Sequence, residues 1–202
     1  MNYPDFYDAV PGISLYDPLA EFLGAAEGGV LQYGYLDAVK LAGHSCPTVA
    51  SAYCATRRAL AALYPDKMPV RGDIKVEFSQ DITSGVTGVI ANVVSMLTGA
   101  TSDTGFKGLA GRFDRRRKLF FSVEMTAEMR FTRLDTNQSV SAVSNLQRVP
   151  SSPRVSVLIA ACINNIATPQ ETAEFRQLWQ ERVRSILLEH GDDPEVFVIT
   201  PV

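Results

Sequence analysis

Asp73-Ile74-Lys75-Val76-Glu77-Phe78 alternates charged and apolar side chains with period two. That is the pattern of a strand with one face on a core. Upstream, Pro65 and Pro69 close a helix that Pro47 opens, running through Ala52, Tyr53, Ala59, Leu60 and Leu63 with Ser51, Thr56, Arg57 and Arg58 on its polar face. Downstream, Val86 to Leu97 reads as a buried helix that Gly99 ends. A helix, a strand and a second helix in succession establish a mixed architecture.

Working outward, Asp17-Pro18 is a helix start, with Asp as N-cap and Pro in the first turn, and Gly28-Gly29 is the expected stop. A second helical stretch covers about Leu36 to Leu41 and stops at Gly43. Beyond the glycine-rich loop Gly105 to Gly111, strands are predicted over Leu119 to Val123, Met125 to Leu134 and Val140 to Val149. Val155 to Ile166 reads as a helix. Thr168-Pro169-Gln170-Glu171 is a capping box for a last helix whose stripe is Phe175, Leu178, Trp179, Val183, Ile186 and Leu187. Gly191 ends it, and Val196 to Ile199 is a short final strand. Intermixed helices and strands point to α+β or mixed α/β.

The chain has 202 residues, which fits one domain over 1–202. An N-terminal extension of about 35 residues would precede a core of about 36–199. Hydrophobic residues make up 46% and charged residues 20%, so a sizeable core needs no staples. A net charge of −3 argues against a nucleic-acid partner. Val155 to Ile163 is too short to span a bilayer. The start, Met1-Asn2-Tyr3-Pro4-Asp5, is acidic and broken by proline, unlike an export signal. Three cysteines, Cys46, Cys54 and Cys162, form a sparse odd set that fits a reducing, cytoplasmic setting.

The chemistry-bearing constellation is Gly43-His44-Ser45-Cys46-Pro47. It lies between two helical stretches, so free amides at the second helix start, and a neighbouring imidazolium, would favour a thiolate at Cys46. Imidazole and thiolate together are ligands for zinc or another transition metal. Alternatively, Cys46 packs as a small hydrophobe and His44 satisfies a backbone group. The two side chains are expected together in a partly open pocket at the start of the Pro47 helix. Cys54 stands eight residues from Cys46, about 12 Å along a helix, too far for a disulfide.

The stretch from Asp37 to Pro47 resembles the signature of the formylmethanofuran dehydrogenase (FmdE) family: a helix, G-H-x-C-P, then an Ala-rich helix with a small-residue–Tyr pair, here Ala52-Tyr53. Leu97-Thr98-Gly99-Ala100-Thr101 resembles the family's L-T-G-C-T. Asp114 with a basic residue soon after resembles its D-x-G-K segment, and Phe175 to Leu187 its last core helix. The resemblance runs in patches from about Leu36 to Leu187, and only G-H-x-C-P is specific. It implies a thioredoxin-like α+β core, a mixed sheet flanked by helices, and a metal, often zinc, near the motif. It also implies a homodimer and an association with redox-enzyme subunits of one-carbon metabolism. The family's cysteine-rich appendage is not expected, since no cysteine follows Cys162.

Two family thiols are replaced, at Ser84-Gly85 and at Ala100. A metal on His44 and Cys46 therefore needs oxygen ligands, with Asp81 the candidate and Ser84 or Thr87 acting through water. Such a site is expected to be open, partly occupied, and emptied as His44 protonates. Three functions follow as expectations: a metal and small-ligand site on His44, Cys46 and Asp81; an accessory module of a larger redox assembly; or metal-free thiol chemistry, with Cys46 as nucleophile and His44 as base. Lys107 and Arg112, around the glycine-rich loop, are second-tier contacts for an anionic ligand. Arg115-Arg116-Arg117-Lys118 reads as a solvated turn, Asp73 and Glu77 as an exposed pair on one strand face, Cys54 and Cys162 as packed helix residues, and His190 as a cation in a helix's last turn.

Overall fold

The computed structural model describes residues 3–202, so Met1 and Asn2, part of the expected leaderless start, lie outside the described residues. In chain order, a 3-10 turn (Asp5–Ala9) leads to strand β1 (Ile13–Tyr16), helix α1 (Pro18–Phe22), strand β2 (Val30–Tyr33) and helix α2 (Tyr35–Ala42). Helix α3 (Pro47–Leu63), strand β3 (Ile74–Phe78), helix α4 (Thr87–Thr98) and strands β4 (Leu119–Phe120), β5 (Met129–Arg133) and β6 (Ser139–Ser144) follow. Helices α5 (Arg154–Ile163) and α6 (Pro169–Arg184), a π-helical continuation over Ser185–Glu189, and strand β7 (Phe197–Pro201) complete the order.

The class is α+β. β1 and β2 form a small antiparallel sheet, and the main sheet has the order β4-β3-β5-β6-β7. It is mixed, because β3 runs parallel to β4 and antiparallel to β5. Strand alternation sorts its faces. Val76, Phe131 and Val140 stand side by side in register and are all buried. The opposite face carries Lys75, Glu77, Arg130, Thr132, Ser139 and Ser141. Glu77, expected to be exposed, is buried there: Arg130 lies directly opposite and donates Nε–H at 2.8 Å, and Lys75 adds a 3.2 Å ion pair.

Helix α3 lies on the apolar face, against β5, β6 and β7, and also meets α2, α4, α6 and the π-helical segment. Eleven of its residues are buried, including Ser51 and Thr56, which the sequence pattern places on a polar face. Its alanines let neighbours approach from several sides. Thr56 satisfies its hydroxyl by donating to Ala52 O at 2.7 Å, and Tyr53 donates to Pro11 O at 2.9 Å. At the C-terminal end, Arg133 Nη1 donates to Leu63 O at 2.9 Å, a cation where the helix dipole favours one.

The helix starts match expectation best. Thr168 Oγ1 accepts from Glu171 N at 3.2 Å, and Glu171 Oε2 accepts from Thr168 N at 2.8 Å. Several strands are shorter than expected: β4 ends at Phe120 rather than Val123, and β6 ends at Ser144, where a 3-10 turn over Leu146–Arg148 takes the chain out of the sheet. Helix α1 stops at Phe22, well before Gly28, and leaves Phe22 and Leu23 exposed. Strands β1 and β2, four residues each, carry too little alternation to be found from sequence. No helix is long and apolar enough to cross a membrane among the described residues.

Asp17 caps α1 as expected, accepting from Leu19 N at 2.9 Å and Ala20 N at 3.2 Å. It also receives Arg71 Nη1 at 2.9 Å and Arg115 Nη2 at 2.6 Å. The run Arg115 to Lys118 is therefore not one solvated turn. Arg115 is buried on Asp17, Arg116 pairs with Asp114, and Lys118 donates to Gly72 O. Burial alone would raise the Asp17 carboxyl, but the Arg71 hydrogen bond and the Arg115 charge outweigh it and hold it below the usual value. The stability it contributes is then present above the ordinary carboxylate range and is lost as pH falls through its lowered value. Asp17→Asn should cost about 3 kcal/mol, because two guanidiniums lose their counterion. Urea denaturation should show that gap at pH 7 and a smaller one in strong acid; equal stability at pH 7 would remove the triad from the fold's energetics.

Candidate functional site

The motif is built by the end of one helix and the start of the next. Gly43 takes φ 75°, a left-handed turn that a side chain would disfavour, and its N–H caps α2 on Val39 O at 2.8 Å. His44 is exposed, with Nδ1 2.9 Å from Ala42 O. A carbonyl only accepts, so Nδ1 carries the hydrogen and Nε2 of the neutral ring is bare. Cys46 is extended and buried at the N-cap of α3, where Sγ accepts from Val49 N at 3.5 Å. Pro47, at the first helical position, has no N–H to satisfy.

Ser45 ties this loop to the rest of the chain. Its Oγ donates to Gln180 Oε1 at 3.1 Å and lies 2.9 Å from Tyr35 Oη, which therefore donates to it. Its carbonyl accepts from Trp179 Nε1 at 3.0 Å and Gln180 Nε2 at 3.3 Å. Tyr7 Oη donates to Gln180 Oε1 at 3.3 Å. The rings of Tyr7, Tyr35 and Tyr53 pack edge to face behind it. Burial pushes the Tyr35 phenol well above its usual value, so it stays protonated and remains a donor.

Beside the motif lies a cavity of about 150 Å³, between the first turns of α3 and α4 and the ends of β5 and β6. Thr48, Ser51, Glu128, Ser144 and Gln147 supply polar groups, and Ala52, Ile90, Met129 and Leu146 supply apolar walls. Glu128 Oε2 already accepts from Ser144 N at 2.7 Å. The expected pocket at the start of α3 is thus present, but its walls come from the residues after the motif, and neither His44 nor Cys46 lines it.

The candidate metal donors are not gathered. Asp81 is exposed and held in its own turn by Thr83 N at 2.9 Å and Thr83 Oγ1 at 2.6 Å, bonds that also lower its carboxyl below the usual value. Among the described residues, no three His, Cys, Asp or Glu side chains are grouped to hold a metal ion. His44 presents a free nitrogen, Cys46 a sulfur already engaged as a cap, and Asp81 stands in a separate turn, so the three do not fit a self-contained centre. Lys107 and Arg112 are exposed, and Arg112 lies over the Phe113 ring at 4.7 Å. Cys54 is buried against Gly191, and burial pushes its thiol up to about 12, which leaves it unreactive. Cys162 is only half-buried on α5, contrary to its expected core position. His190 pairs with Asp193 at 3.1 Å just past the π-helical segment.

Ser45 and Gln180 carry no functional signal in the sequence. Ser45 occupies the variable position of the motif, and Gln180 is a polar residue beside the single Trp on an apolar stripe. Only their meeting across 135 positions gives either a role. Ser45→Ala should cost about 1–2 kcal/mol, since the buried Tyr35 hydroxyl loses its acceptor. A Ser45→Ala/Gln180→Leu cycle should show coupling of at least about 0.5 kcal/mol in urea denaturation. Strict additivity would mean that the two do not hold one another.

No known family model matches this chain, and no curated protein matches it.

Proposed function

We propose that the chain is an accessory binding module of the kind its resemblance to the formylmethanofuran dehydrogenase (FmdE) family implies, working in a cytoplasmic redox assembly. The cavity between the starts of α3 and α4 is its small-ligand site. The observation that carries this reading is the internal use of the motif: Ser45 is bonded on both sides, and Cys46 Sγ closes a helix. A thiol engaged as a buried cap is poorly placed as a nucleophile. The adjoining cavity combines apolar walls with a few polar groups, as small-molecule sites do.

A second reading takes its support from the bare Nε2 of exposed His44. A backbone carbonyl fixing the other ring nitrogen is the usual orientation of a metal-bound histidine. In that reading zinc or a similar metal is shared with water or with another chain. A two-fold dimer is part of both readings. Val157, Ile163 and Ile166, at 67%, 72% and 75% exposure along and just after α5, are apolar groups that a partner would cover.

Purified protein equilibrated with zinc and then desalted should retain substoichiometric metal, and peptide mapping should find Cys46 alkylated only slowly before denaturation. In native extract the chain should run in an assembly heavier than its own dimer. Stoichiometric zinc that His44→Ala removes would replace the first reading with the second. Rapid alkylation of Cys46 would replace both with thiol chemistry. Cys46→Ala should cost about 1 kcal/mol as a lost cap, while His44→Ala should leave stability unchanged. Val157→Lys with Ile163→Lys should shift sedimentation to the monomer; an unchanged dimer would place the interface elsewhere.

A further inference from the structure

The ion triad buried under α1 carries a charge surplus. Arg71 and Arg115 share the single carboxylate of Asp17, which leaves one positive charge without a counterion in that group. The Arg115 side chain is 6% exposed and its Nη1 has no hydrogen-bond partner. Arg71 spends Nε on Met96 O at 3.1 Å and Nη1 on Asp17, while its Nη2 makes no hydrogen bond among the described residues. Unmatched buried charge is costly, so a protein that keeps it there usually has a use for it.

The position of Arg115 is specifically accommodated. A Cβ on Gly72 would stand 1.6 Å from its Nη1, and one on Gly99 would stand 2.8 Å away. Both glycines take positive φ, so each is suited to its backbone conformation as well as to the space. A pocket of about 460 Å³ opens beside the two guanidiniums. Leu19, Leu41, Met96 and Phe106 give it apolar walls, Asn92 and Ser95 add polar groups, and no carboxylate lines it. Leu41 and Phe106 are half-exposed at 50% and 42%, apolar groups left facing solvent. The glycine-rich loop thus contributes Phe106 here, in place of the Lys107 contact expected for an anion.

We infer that this pocket binds a small organic carboxylate, its charged end on Arg71 beside Arg115 and its apolar body between Leu41, Met96 and Phe106. One monoanion balances the surplus charge, and a guanidinium matches a carboxylate in geometry. The volume lies within the range of about 300–1,000 Å³ typical of small-ligand sites. The cavity beside the motif is separate, so the two proposals stand or fall independently.

Isothermal titration of the full chain with octanoate, octanamide and inorganic phosphate tests this. Octanoate is expected to bind one to one, with octanamide and phosphate each at least tenfold weaker. Arg71→Gln should weaken octanoate at least tenfold. Because that variant also touches the Asp17 triad, Phe106→Asp serves as the second: it sets a negative charge at an exposed rim and should weaken octanoate at least tenfold with an unchanged melting temperature. No saturable octanoate binding, equal binding of octanamide or phosphate, or full affinity in Phe106→Asp would overturn the inference.

Discussion

Helix α3 is buried along most of its length, and the rest of the molecule is arranged around that requirement. A helix surrounded by protein cannot leave its terminal N–H and C=O groups to water. At its start, Pro47 removes one donor and Cys46 Sγ accepts from another. At its end, Arg133 reaches across from β5 to the Leu63 carbonyl while lying 4.2 Å from the centre of the Tyr64 ring. Both ends are satisfied by side chains from nearby packed elements, so the position of α3 is tied to the sheet on which it lies.

The same requirement explains why the motif looks chemical and yet is largely structural. Gly43 turns the chain out of α2, Ser45 fastens the turn to α6, and Cys46 opens α3. His44 alone makes no long-range contact and keeps a ring nitrogen for something outside the chain. A cavity forms beside this turn because α3 and α4 start near the same edge of the sheet, where β6 ends and the chain leaves through its 3-10 turn. The small residues of α3 that allow close packing, such as Ala52, also leave that space open.

How much of the site is legible in the sequence follows from where its signals lie along the chain. His44 and Cys46 stand out because reactive residue types two positions apart are a local pattern. Asp17 is legible as an N-cap for the same reason, since capping is decided within one turn. Its second role, as the counterion of Arg71 and Arg115, depends on residues 54 and 98 positions away. Arg115 passes for a solvated charge because its run of four basic residues looks uniform in sequence. In the fold each of the four has a different neighbourhood, from buried Arg115 to Arg117, whose side chain is 81% exposed. Asp81, Lys107 and Arg112 draw attention by proximity to glycine turns, and such turns orient backbone more than side chains.

By itself the sequence determined the α+β class, the starts of α1, α3 and α6, and the alternation that sorts β3 into an apolar and a polar face. These depend on neighbours within four residues, through capping bonds and side-chain periodicity. Tertiary structure decided which donors meet. It cut β4, β5 and β6 short of their sequence patterns, because a strand lasts only while a partner strand lies beside it. It took Glu77 and Arg115 out of water by bringing opposite charges from distant segments against them. It also left the candidate metal donors apart, since His44 and Cys46 belong to one turn and Asp81 to another that packing holds in a separate place. Local rules set each element's identity; the long-range pairing of buried polar groups set the site.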